Sequence, residues 1–92
     1  MRRQTKYTNI SAAVKQAVYI RDNGRCVLCG KPGDPWCHVI PRSKGGLGRE
    51  ENVVTLCSDC HRCYDQGTER KALYARLVAY LKGFYPDWNR ED

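Results

Sequence analysis

Apolar residues recur with helical spacing near both ends of this chain and in short β-branched runs near its middle. Ala13, Val14, Ala17, Val18 and Ile20 repeat at roughly the helical period until Asp22, Asn23 and Gly24 break the pattern. Ser11 stands just before them, and its hydroxyl can accept from N–H groups of a first turn, so a helix is expected to begin there. Trp36 to Ile40, ended by Pro41, and Val53 to Leu56 each predict a short strand, joined by the glycine-rich stretch "RSKGGLGREEN". Cys57 to Gln66 reads as a short helix closed by Gly67. A last helix is predicted from about Thr68 to Lys82, with Leu73, Leu77, Tyr80 and Leu81 on one side and Gly83 as its stop. The tail "FYPDWNRED" brings Phe84, Tyr85 and Trp88, which are expected to fold back onto the domain. Residues 1–10 hold Arg2, Arg3 and Lys6 with little apolar content and read as a basic arm, leaving 11–92 as a single domain.

A chain of 92 residues buries a limited share of its surface, so an apolar core alone leaves it marginally stable and a staple is expected. Six cysteines supply the candidates. The N-terminus "MRRQTKYTNIS" lacks the apolar stretch of a signal peptide, and no run has membrane-spanning length. The expected setting is therefore the cytoplasm, with no membrane partner. Thiols stay reduced there, and paired C-x-x-C motifs favour a metal over a disulfide. Cys26 with Cys29 and Cys57 with Cys60 form two such pairs, separated by the 27 residues 30–56. Four thiolates on two turns suit tetrahedral zinc, which would make folding metal-dependent. Cys37 and Cys63 remain, read as small buried hydrophobes. The alternative, a disulfide-stapled secreted chain, would survive chelators and fail under reductant. A redox-active reading of the first pair lacks a surrounding βαβ pattern.

The formal charge of +6 and pI of about 9.1 point to a polyanionic partner, although four thiolates with one divalent ion lower that charge by about two. Arg42, Lys44 and Arg49 cluster around the glycine stretch and Arg62 follows His61, placing cations where a phosphate backbone can be met. His61 and Asp65 are four apart, so on a helix they share one face and can hold a divalent cation. No recognition helix or repeated base-reading unit is apparent, which argues against strong sequence specificity.

Taken together, "CHVIPRSKGGLGREENVVTLCSDCH" and the preceding C-x-x-C resemble the HNH endonucleases, in particular the small phage-associated kind with zinc knuckles. The resemblance runs from Cys26 to about Gly67, and its three letters are His38, Asn52 and His61. It implies a small α+β zinc-stabilised domain whose ββα-metal core, also called the His-Me finger, spans about residues 36–67 between flanking N- and C-terminal helices. It further implies hydrolysis of DNA phosphodiester bonds to 5′-phosphate and 3′-hydroxyl ends, with nicking at low sequence specificity expected. His38 would act as general base on water, a role its ordinary pKa suits. Asn52 would tie the loop between the strands, and His61 with Asp65 would hold a catalytic magnesium or manganese ion. Cys37 departs from the pattern, because the residue before the base is often an Asp or His ligand. Three outcomes stay open: His61 and Asp65 suffice, Cys37 joins and favours a softer metal, or the site is weakened and the protein is a non-catalytic module binding nucleic acid or a protein. The implied partner is double-stranded DNA, contacted along its backbone, with phage packaging proteins as a further possibility and a monomer or weak dimer as the assembly.

Overall fold

The computed structural model describes residues 10–40 and 46–88. Most of the basic arm, together with Pro41, Arg42 and Lys44, lies outside the described residues. The elements follow in the order helix α1 (Ala12–Arg21), strand β1 (Asp34–His38), a 3-10 turn (Glu50–Asn52), strand β2 (Val53–Leu56), helix α2 (Ser58–Gln66) and helix α3 (Arg70–Phe84). This is a small α+β domain in which β1 and β2 form one antiparallel two-stranded sheet. No helix among the described residues is long and apolar enough to cross a membrane.

Helix α1 starts as its sequence dictates, with the Ser11 hydroxyl accepting from the Val14 N–H at 3.2 Å. Its apolar set divides on folding: Val18 is fully buried, whereas Ile20 is 65% exposed. The register that sinks Val18 turns the next residue but one toward solvent. Asn23 and Gly24, both with positive φ, then reverse the chain into the first cysteine turn.

Strand β1 lies two residues earlier than the sequence predicts, and its pairing with β2 sets Cys37 opposite Val54 and His38 opposite Val53. An irregularity between Asp34 and Cys37 interrupts that register. All four residues of β2 are buried, since α1 and α2 both pack against this sheet. The last helix runs through Gly83 to Phe84 rather than stopping at the glycine. Its end is set by Tyr85, whose N–H returns to the Leu81 carbonyl, and by Pro86, which cannot supply a helical N–H. Leu77 and Leu81 from α3, Tyr64 from α2, and Cys37, Val39, Val54 and Leu56 from the sheet region share one core. The tail does return: Tyr85 and Trp88 pack against this core, and the Trp88 indole N–H donates to the Glu51 carbonyl. Phe84 stays half exposed, its ring edge-on to Tyr80.

Candidate active site

The first cysteine turn is built around Gly30, whose φ of +84° lets the backbone double back. The Cys26 N–H donates to Lys31 O at 2.6 Å, and the Gly30 N–H donates to Cys26 O at 2.9 Å. The Val27 N–H reaches Thr55 O at 3.0 Å, fastening the turn to β2. Cys57 caps α2, its sulfur accepting from the Cys60 N–H at 3.4 Å, which brings the second pair to the first.

The ligand sulfurs of Cys26, Cys29, Cys57 and Cys60 all lie within 4.8 Å of one another, and no cysteine is in a disulfide. Thiolates tetrahedral about zinc at about 2.3 Å stand roughly 3.8 Å apart, so the cluster is compatible with that ion. The surroundings favour thiolate at one member. Burial, the largest cause, works to raise the Cys26 pKa, but N–H donors from Cys57, Leu28 and Cys29 and the Cys29 side chain bring it down to about 7.

Downstream, His61 and Asp65 occupy one face of α2, with Nε2 and Oδ2 3.3 Å apart and both side chains reachable by solvent. An imidazole and a carboxylate so placed can provide two ligands to a divalent ion, leaving other positions for water or a phosphate. Cys37 does not join them. It is fully buried in the core, its sulfur 3.7 Å from the His38 carbonyl oxygen. Burial first, then the Asp65 charge, pushes its thiol up to about 12. Among the described residues the four cysteines are the one set of three or more donors whose ligand atoms converge. Cys63, expected to be buried, is exposed on α2 because the helix turns that position away from the core.

His38 ends β1 at intermediate exposure, and the backbone just after it is held by Asn52. The Asn52 carbonyl accepts from the Val39 N–H at 2.8 Å. Its buried side-chain amide accepts from the Ile40 N–H at 2.8 Å and donates to Ile40 O at 3.1 Å and Leu47 O at 2.9 Å. Asn52 thus fastens both ends of the connection that leaves β1, using an acceptor and both amide hydrogens at once. Arg49 and Arg62 are exposed. Arg21, Asp22 and Tyr64 also bond to backbone near Asn52 and His38, at Glu50 and Val53, at Thr55 and at Val39 respectively, and no pattern in the sequence singles them out.

Residues 26–67 match the family model described as HNH endonuclease. The matched segment holds both cysteine pairs, both histidines and Asn52, and its two-stranded sheet and four-cysteine cluster fit that family. The chain is 39% identical over 78 residues to the type IV methyl-directed restriction enzyme EcoKMcrA of Escherichia coli K12, covering 74% of this chain and 28% of that protein. It is also 47% identical over 30 residues to anaredoxin of a Nostoc species, covering 33% of this chain and 40% of that protein. The chain therefore spans less than half the length of either relative.

Proposed function

We propose that the protein is a metal-dependent endonuclease that hydrolyses DNA phosphodiester bonds, nicking with low sequence specificity. The observation that carries this reading is the Asn52 lock on Ile40 and Leu47, which fixes the backbone leaving His38 while β1 pairs His38 with Val53. A general base must be held in one geometry to act on a bound water, and such a lock serves that need. In this reading His38 removes a proton from the attacking water. His61 and Asp65 hold the catalytic magnesium or manganese ion, whose chemistry there is to stabilise charge on the phosphate and the departing 3′ oxygen. Arg49 and Arg62, with Arg42 and Lys44, neutralise the DNA backbone. Cys26, Cys29, Cys57 and Cys60 hold structural zinc. Kinship to a restriction enzyme supports a DNA substrate. The burial of Cys37, where related sites often offer a ligand, favours the competing reading of a non-catalytic binding module.

Conversion of supercoiled plasmid, with magnesium, manganese or EDTA, compared between the zinc-loaded protein and His38→Ala, separates the two. Metal-dependent nicking lost in His38→Ala while DNA binding persists is the expected result. Binding without metal-dependent cleavage in the unaltered protein overturns the endonuclease reading. Plasmids with and without methylated bases belong in the same experiment, because one relative is methyl-directed; cutting confined to the methylated plasmid overturns the low-specificity part of this reading.

A further inference from the structure

We propose that Arg21 is a positioning residue of the active site, holding the turn that presents Asn52 and, through it, the backbone that follows His38. What the positioned groups do rests on the endonuclease reading above; the positioning itself rests on hydrogen bonds.

A guanidinium has five N–H donors in a rigid fork. Each of the five on Arg21 has an acceptor. Nε donates to Asp22 Oδ1 at 2.8 Å and Nη2 to Asp22 Oδ2 at 3.0 Å, a bidentate pair. Nη2 also donates to Val53 O at 2.7 Å. Nη1 donates to Glu50 O at 2.8 Å and to the Tyr85 hydroxyl at 3.3 Å. Glu50 opens the 3-10 turn that ends in Asn52, and Val53 follows it directly. Arg21 therefore grips the backbone on both sides of Asn52.

From there two short routes lead to His38. Asn52 holds Val39 through its carbonyl and Ile40 through its amide. Val53, whose carbonyl Arg21 engages, is the register partner of His38. A shift of the turn is consequently passed to Val39, which follows the histidine, and to Val53, its partner across the sheet.

The guanidinium is itself held from outside the segment that matches the HNH family. Asp22, 6% exposed, also accepts from the Thr55 N–H at 2.9 Å and the Tyr80 hydroxyl at 2.5 Å. The rings of Tyr80, Phe84 and Tyr85 on or just beyond α3 stand 5.7 to 5.9 Å from the Arg21 Cζ. Arg21, Tyr80 and Tyr85 all lie outside residues 26–67. The flanking helices are thus assigned a part in the geometry of the site as well as in the core. A lysine here keeps the charge but has no fork, and cannot reach Asp22, Glu50 and Val53 together.

The test is Arg21→Lys in the full, metal-loaded chain, read by plasmid-nicking kinetics and by NMR amide exchange. A kcat reduced about tenfold to a hundredfold with KM little changed is expected, the size of effect that misplacing a reacting group produces. The Val39 and Ile40 amides should exchange about tenfold faster while amides of Leu77 and Leu81 keep their protection. In an Asn52→Ala background the same substitution should add less than about twofold, since the two residues act in series. Uniformly faster exchange, with activity falling only with the folded fraction, reduces Arg21 to a structural role and overturns the proposal, as do unchanged kcat and exchange. Should Arg21→Lys not fold, Tyr85→Phe removes one acceptor of Nη1 and the hydroxyl contact to Glu50 Oε1 at 3.3 Å. Faster exchange confined to Val39 and Ile40 upholds the proposal there, and its absence overturns it. If the unaltered protein does not cleave DNA, the endonuclease reading falls, and the exchange measurement still decides whether Arg21 holds the Asn52 turn.

Discussion

The hydroxyl of Tyr64 donates to the backbone carbonyl of Val39 at 2.5 Å, tying the helix that carries His61 and Asp65 to the residue next to His38. Tyr64 is fully buried, and Arg70 fixes it from the other side, its guanidinium 4.2 Å from the ring centre and donating to Tyr64 O at 2.8 Å. The bond is a strut between the two halves of the candidate site. Tyr64→Phe keeps the ring but takes the donor from a buried carbonyl, a loss of about 1 to 3 kcal/mol. In a domain of this size that lowers Tm by roughly 4–8 °C for each kcal/mol. Plasmid nicking should fall further than the folded fraction does. A melt and a nicking assay on the same sample check both, and an unchanged Tm removes the strut from the account.

How much of this was legible in the sequence depends on whether the deciding contact is local. Ser11 as a cap, the two cysteine turns and the β-branched run of β2 are written in neighbouring residues, and the structure forms each of them. Gly83 looked like a helix stop, but a glycine inside a helix costs only about 1 kcal/mol, and packing of Leu77 and Leu81 carries the helix past it to Pro86. Ile20 looked like part of an apolar face and is exposed, because one turn of a short helix meets the sheet there and Val18 takes that place. The HNH letters could be named in sequence order. The bonds from Arg21 to Glu50 and Val53 span 29 and 32 residues, and no local pattern marks them.

Removing metal should unfold this domain. Four thiols brought within 4.8 Å of one another repel once ionised unless a cation lies among them, and a small core offers little to oppose that. Purified protein is expected to contain about one metal ion per chain, to lose its cooperative melt in strong chelator and to regain it when zinc is restored. Elemental analysis and circular dichroism with and without chelator check this. Visible absorbance distinguishes iron, which a four-thiolate site also accepts, from colourless zinc. A chelated protein that melts at the same temperature assigns the staple to the apolar core instead.

Alkaline pH should destabilise the fold well before arginine or backbone chemistry matters. Burial pushes the Cys37 thiol from 9.0 up to about 12, with the Asp65 charge adding to it. Burial likewise pushes Tyr80 from 10.0 to about 12, helped by its hydrogen bond to Asp22, and Tyr64 from 10.0 to about 12 against the opposing charge of Arg70. Between the unfolded and folded values the unfolded chain has released these protons and the folded one has not, so stability falls as pH rises. The contribution is whole below pH 9.0 and disappears between there and about 12. Denaturation midpoints measured from pH 8 upward should decline over that window, and Cys37→Ala, though less stable at neutral pH, should show a shallower decline. A midpoint independent of pH in that range contradicts the burial of these groups.

Thr55 provides a prediction of opposite sign. Its side chain is fully buried on β2, and its Oγ1 has no hydrogen-bond partner among the described residues. The backbone N–H of the same residue is satisfied by Asp22 Oδ2, so the hydroxyl is not needed to anchor the strand. Leaving a polar atom dry and unpaired carries a desolvation penalty, and exchanging it for a methyl group of the same shape removes that penalty without opening a cavity. Thr55→Val is expected to stabilise the protein by about 1 kcal/mol, a rise in Tm of roughly 4–8 °C for a domain of this size. Nicking should be unaffected, since the Thr55 hydroxyl makes no hydrogen bond to any residue of the candidate site. A fall in Tm of similar size would mean that the hydroxyl is satisfied by an ordered buried water, in which case the strand is held by a contact that the valine displaces.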